Sequence, residues 1–387
     1  MKNFVYHSPT KILFGKDQIN ELGHLLTNNN VSKMLLVYGR KSIKENGIYD
    51  AILNTVNALN IELYEESGVT PNPDITSVRS GIQTVKMNDI DFILAAGGGS
   101  VADCSKAIAM GALIEEDPWD IYLNKATPTH ALPLGVIITL AATGSETNGN
   151  SVISNREENE KRAAKYQFCK PTFAIIDPSY TLTVNRHHTV AGSIDTIMHT
   201  LEQYFAKTKH TETTDYMMTG LINAVIKHTN AILSGNDSYD ARANISWAST
   251  IALNWILGVD KQGDWATHRL SYAVTQSFGT THAYALAALF TSWAKVALER
   301  EPEAMIPKLK QLGKDVFGVT DPINVLDQLD SLFESWGAKT RLKLFDETIT
   351  QDDVKHMAAH TVALGPVGHV ITVDQKTAET IFNLSLK

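Results

Sequence analysis

Phe92-Ile93-Leu94-Ala95-Ala96-Gly97-Gly98-Gly99-Ser100-Val101-Ala102 is the stretch on which the fold turns. Five consecutive apolar residues suit a strand buried on both faces. Glycines then end the run, and residues 101–113 carry Ala, Ile and Met at spacings that give a helix an apolar face. Strand, glycine turn and helix make half of a βαβ unit. Glycines there let backbone N–H groups approach a phosphate at the helix N-terminus. The match to G-x-G-x-x-A is weak alone, because a tight strand-to-helix turn needs glycine anyway. The acid expected about 20 positions on would be Asp117. Asp117-Pro118-Trp119 reads as a turn, so Asp117 does not take that role.

Working outward, three more apolar runs have the same character: Met34-Leu35-Leu36-Val37-Tyr38, Leu134-Gly135-Val136-Ile137-Ile138-Thr139 and Phe173-Ala174-Ile175-Ile176. Helical stretches separate them, so the expected sheet is parallel. After Asp177-Pro178 the pattern changes. Stretches such as 193–207 and 213–233 repeat apolar residues every three or four positions, as helices do, and no strand alternation follows. The expected architecture is α/β, with a Rossmann-like nucleotide-binding domain over 1–182 and an all-helical domain over 183–387.

The 387 residues carry 34 Lys+Arg against 42 Asp+Glu, a net charge of −8. That balance excludes the basic footprint of a nucleic-acid binder. Two cysteines are too few for a disulfide framework and fit a reducing compartment. No apolar h-region opens the chain and no apolar run is long enough to span a membrane. A cytoplasmic location is the expectation. Ten of the 13 histidines lie beyond residue 182, which hints at where metal chemistry sits.

Two further strand ends carry polar groups. Gly39-Arg40-Lys41-Ser42 holds no acid for ribose hydroxyls; its two cations and a hydroxyl suit a 2′-phosphate or, equally, an ordinary solvated basic turn. Thr139-Leu140-Ala141-Ala142-Thr143-Gly144-Ser145-Glu146 offers a hydroxyl-rich lining for a cofactor, or else a helix N-cap. In the second half, Asp195 and His199 are four apart on one helix face, and His268 and His282 follow. A carboxylate and three imidazoles would make a mixed N/O site for a divalent metal with positions left open. His356 and His360 share the same spacing, but Asp352, Asp353 and Lys355 around them read as a solvated face, and His187-His188 are adjacent.

Together these residues resemble the iron-containing (group III) alcohol dehydrogenases, in their NADPH-dependent butanol dehydrogenase and aldehyde reductase branch. The resemblance runs through Pro9 to Gly15, Tyr38 to Ser42, Pro71-Asn72-Pro73, Gly97 to Asp103 with Lys106, Thr143 to Glu146, Asp195 to His199 with Glu202-Gln203-Tyr204, and Asp264 to His268. It implies a dehydroquinate-synthase-like two-domain fold and a homodimer. It implies metal ligands Asp195, His199, His268 and His282, with Fe²⁺ or Zn²⁺ as the ion. It implies that NADP(H) is held by Gly39, Arg40, Lys41, Ser42, Asn72, Gly97, Gly98, Gly99 and Ser100, with Thr139, Leu140, Thr143, Ser145 and Lys161 on the nicotinamide side. Asp103 should lie close to the cofactor and is a candidate catalytic residue. The reaction implied is hydride transfer between nicotinamide and the carbonyl carbon of a small aldehyde, the metal polarising the oxygen.

The chain also departs from the pattern. Where relatives have Gly-His-Glu after the first of the two later histidine ligands, this chain has Ser271-Tyr272-Ala273. The histidine usually thought to relay protons is therefore Tyr272, a candidate proton donor in its place. The segment before His282 is Gly279-Thr280-Thr281, where relatives often carry an acid, and the 140–143 loop lacks the usual proline. Two alternatives follow: a lyase of the dehydroquinate-synthase type using metal and NAD, or a nucleotide-binding protein whose catalysis is lost or altered by Tyr272.

Overall fold

The computed structural model describes residues 2–387. The chain forms two compact units. One comprises His7–Val184 with Ser238–Thr250, and the other comprises residues 2–6 with Asn185–Asp237 and Ile251–Lys387.

The first unit is built on eight strands: β1 (Lys11–Phe14), β2 (Lys33–Tyr38), β3 (Glu62–Glu66), β4 (Phe92–Gly97), β5 (Leu134–Ile138), β6 (Asn150–Asn155), β7 (Glu160–Lys165) and β8 (Phe173–Ile176). Six form one sheet in the order β1-β8-β5-β4-β2-β3, every pair parallel. Alternate residues of the central strands enter two separate apolar cores. Leu35, Val37, Ile93 and Ala95 point into one; Met34, Leu36, Phe92 and Leu94 point into the other. That is why these segments read as unbroken apolar runs. The edge strands are different. β1 is Lys-Ile-Leu-Phe and β3 is Glu-Leu-Tyr-Glu-Glu, each largely accessible, and polar edges discourage pairing with other chains.

β6 and β7 make an antiparallel hairpin outside the main sheet. Nothing in the βαβ reading foresaw it. Its first strand is held by long-range bonds: Val152 N donates to Asp103 Oδ2 at 3.0 Å, and Ser154 N donates to the Pro73 carbonyl at 2.8 Å.

The second unit is helical. Its longer helices include Arg186–Tyr204, Glu212–Leu233, Ala266–Phe278 and His282–Arg300. The first is buried all round from Thr189 to Tyr204, so its polar residues sit in the interior. Asn185 caps it by accepting from His188 N at 3.0 Å. An isolated bridge joins Val367 to Val373.

Candidate functional site

In the first unit, β4 delivers the chain to Gly97-Gly98-Gly99, and the helix Gly99–Gly111 starts there. The three glycines are needed for different reasons. A Cβ on Gly97 would stand 2.6 Å from Val101 Cγ2, and one on Gly99 would stand 2.3 Å from Thr143 Oγ1, so packing excludes both. A Cβ on Gly98 would meet nothing closer than Leu140 at 3.5 Å. The fold does not demand glycine at 98. Its bare backbone leaves room beside the unsatisfied N–H groups of a helix start, where an anion is stabilised.

Thr143 closes over this turn, and its hydroxyl accepts from Ser145 N at 3.2 Å. No helix begins at Thr143 or Ser145, so the N-cap alternative for this loop is excluded; the loop runs on into β6. Leu140 lines a cavity with Ile138, Glu146, Thr181 and Ser246. Thr139 N donates to the Gly97 carbonyl at 2.9 Å, which ties the end of β5 to the glycine turn.

A buried polar chain underlies the loop. Ser145 Oγ donates to Asp103 Oδ1 at 2.6 Å and accepts from Lys106 Nζ at 2.7 Å. Lys106 is fully buried and also donates to Asn148 Oδ1 and to the Asn150 carbonyl. Burial pushes the Lys106 ammonium down to about 8 and raises the Asp103 carboxyl. With one oxygen on Ser145 and the other on Val152 N, Asp103 ties the helix, the loop and the hairpin together. Asn72 has a left-handed backbone (φ 53°), and its Oδ1 accepts from Lys161 Nζ at 2.8 Å, so these two candidates meet. Gly39 follows β2, and Arg40, Lys41 and Ser42 stand exposed after it.

In the second unit, Asp195, His268 and His282 converge, each offering a ligand atom within 4.8 Å of the others. Among the described residues no other such group forms. His199 Nε2 lies 3.7 Å and His282 Nε2 4.0 Å from Asp195 Oδ1. Both separations exceed a hydrogen bond. Two donors about 2.1 Å from one tetrahedral ion stand about 3.4 Å apart, so a shared cation fits the cluster with slight closure. His199 stacks on His268 at 4.9 Å between ring centroids but is not one of the mutually close three. The Tyr272 ring lies 5.8 Å from that of His282. His356 is exposed, as expected of a solvated face; His360 departs from that expectation, being half-buried with shielded ring nitrogens. Neither joins the cluster.

Two residues named in the sequence without a role support this cluster. Glu202 Oε1 accepts from His268 N at 2.9 Å and pairs with His268 Nδ1 at 3.0 Å. The Glu202 backbone carbonyl accepts from Asp264 N, so one residue seats the start of the next histidine helix. Burial raises the Glu202 carboxyl to about 7 despite these amides. The available signal was position: Glu202 is seven residues after Asp195, on the same helix face. Ser271 is the second, with Oγ 3.1 Å from His282 Nδ1.

Comparison with known proteins identifies the family. Residues 9–178 match the family model described as iron-containing alcohol dehydrogenase, and residues 189–386 match its C-terminal counterpart. The chain is 38% identical over 394 residues, covering 100% of both chains, to a probable NADH-dependent butanol dehydrogenase 1 of Bacillus subtilis. It is 32% identical over 386 residues, 97% of each, to the NADPH-dependent aldehyde reductase YqhD of Escherichia coli. The crystal structure of NADH-dependent butanol dehydrogenase A from Thermotoga maritima superposes with a TM-score of 0.95 at 33% identity, covering 100% of this chain and 99% of that one.

Proposed function

The chain belongs to the iron-containing alcohol dehydrogenase family, and from that premise we propose that it is an NADP(H)-dependent enzyme working mainly as a reductase of small aldehydes. NAD(P)H-dependent interconversion of alcohol and aldehyde is the family's chemistry; NADP(H) as the cofactor, the named residues and the direction are our reading. The observation that carries it is the convergence of Asp195, His268 and His282, beside His199.

When bound, the divalent cation would polarise the aldehyde oxygen and the nicotinamide would supply the hydride. The chain's own residues do the rest. Asp195, His199, His268 and His282 hold the cation. Gly98 admits the pyrophosphate to the helix start, and Thr139, Leu140, Thr143 and Ser145 border the nicotinamide side. Arg40, Lys41 and Ser42 present two charges and a hydroxyl to a 2′-phosphate. Asn72 and Lys161 act as a pair, and Asp103 holds their hairpin in register. Tyr272 supplies the proton to the product oxygen from its phenol hydroxyl. The proposal includes a cytoplasmic homodimer, in keeping with the resemblance and with two buried free cysteines.

The lyase alternative needs cations for a phosphorylated, carboxylated substrate. The two nearest His268 in sequence are otherwise engaged: Lys261 is inaccessible and paired with Asp215 at 2.6 Å, and Arg269 lies 5.9 Å over the Tyr272 ring.

The test is oxidation of NADPH and of NADH with butanal, after loading with Fe²⁺ or Zn²⁺. Turnover with NADPH that a chelator abolishes, and that His268→Ala lacks, is expected. Equal activity in wild type and His268→Ala would sink the metal role. Preference for NADH would sink the reading of Arg40. Cofactor binding without turnover across an aldehyde panel would favour lost catalysis.

A further inference from the structure

Ser271 is fully buried in the helix Ala266–Phe278. Its hydroxyl makes two contacts. Oγ donates to the His268 carbonyl at 2.7 Å, three residues back, and lies 3.1 Å from His282 Nδ1. A serine has one proton to give. A carbonyl oxygen can only accept, so the shorter contact takes that proton. The longer contact is then a hydrogen bond only if His282 Nδ1 carries hydrogen and donates to Oγ. That tautomer leaves Nε2 unprotonated, and Nε2 is the nitrogen facing Asp195 Oδ1 at 4.0 Å.

The geometry points to Ser271 as a positioning residue that locks the His282 ring in its Nδ1–H tautomer and aims Nε2 at the metal. This rests on the metal-site reading above. Glu202 does the equivalent for His268 through Nδ1 on the other side of the cluster. One imidazole is thus steered by a buried carboxylate and the other by a neutral hydroxyl. Outer-shell partners of this kind fix ring orientation and tautomer in metal sites generally. The hydroxyl adds no charge, so it orients a ligand without adding to the anionic total of Asp195 and Glu202.

The experiment uses the full chain with labelled histidine. In metal-free protein, nitrogen and Cδ2 chemical shifts report each tautomer, with His282→Gln assigning the resonance. Zn²⁺ affinity is read by competition with a chromophoric chelator. Wild type should show His282 as Nδ1–H. Ser271→Ala should populate Nε2–H and weaken Zn²⁺ binding about tenfold, within the range for outer-shell partners. Ser271→Thr should restore both, because a helical threonine hydroxyl also bonds the carbonyl three or four residues back. An unchanged tautomer, or Zn²⁺ affinity within twofold of wild type in Ser271→Ala, overturns the inference. Failure of wild type to take up Zn²⁺ or Fe²⁺ would instead overturn the metal-site reading. The tautomer comparison in metal-free protein tests the Ser271 bond in either case.

Discussion

Lys106 Nζ reaches Ser145 Oγ at 2.7 Å inside a site from which water is excluded. A buried ammonium is costly unless it is hydrogen-bonded, and here three acceptors surround it. Its native pKa, about 8, lies below the unfolded value of about 10.4. Between those values the unfolded chain holds a proton that the native chain has released. Stability from this group therefore rises as pH climbs from about 8 to 10.4, and below 8 the full penalty of the buried charge remains. Lys106→Met should flatten that rise in urea melts run at successive pH values. It should also cost about 3 kcal/mol at pH 7, since the Ser145, Asn148 and Asn150 acceptors lose their donor. A variant with unchanged stability and the same pH slope would show that Lys106 does not carry the effect.

Gly98 and Gly99 should respond in opposite ways to the same added methyl. Gly99→Ala drives Cβ into Thr143 and should destabilise the protein by about 1–3 kcal/mol. Gly98→Ala should leave the melting temperature near wild type but weaken NADPH binding about tenfold, by obstructing the pyrophosphate. Fluorescence titration beside thermal melts separates the two, and equal behaviour would refute the division of labour.

Arg40 projects into solvent after β2 with Lys41 beside it. If it meets a 2′-phosphate, Arg40→Ala should raise the KM for NADPH about tenfold, the loss of one charge-assisted bond. The KM for NADH should stay within twofold, because that cofactor has no phosphate there. The ratio of the two kcat/KM values is the measurement, and parallel changes would contradict the assignment.

Tyr272 is tested by Tyr272→Phe, which removes the hydroxyl and keeps the ring against His282. A proton donor lost in this way should lower kcat about 100-fold with little change in Zn²⁺ affinity. Unaltered kcat would leave the tyrosine as packing, and the proton would come from elsewhere.

The strands of the sheet interior were legible because burial on both faces leaves unbroken apolar runs. Leu35 and Leu36 can be adjacent only if each has its own core. β1 and β3 were not legible, since at the sheet edges only Ile12 and Leu13, and Leu63 and Tyr64, meet the two cores, too short a run to stand out. The β6–β7 hairpin was hidden for another reason: what holds it is Asp103 and Pro73, far away in sequence. The same distinction runs through the site. Asp195 and His199 share a helix face and announce themselves by spacing. His268 and His282 could be joined to them only through the family resemblance, because their meeting is tertiary. Glu202 and Ser271 belong to neither category. Their partners are the ring nitrogens of His268 and His282; helix spacing from Asp195 could point to Glu202, whereas no local pattern marks Ser271.

The segment Ser238–Thr250 belongs to the unit that otherwise ends at Val184. Thr250 Oγ1 donates at 2.6 Å to Glu146, which is buried, and Trp247 packs edge-on against Phe14 at 5.6 Å. Until those residues leave the ribosome, the first unit lacks its last piece and the Glu146 carboxyl has no Thr250 hydroxyl to meet. At roughly 5–20 residues per second of synthesis, the nascent sheet must wait several seconds while the helices from Asn185 to Asp237 emerge. The order of birth along the chain is therefore not the order in which its units can be completed, and a gene fragment stopping at residue 182 would encode an unfinished object.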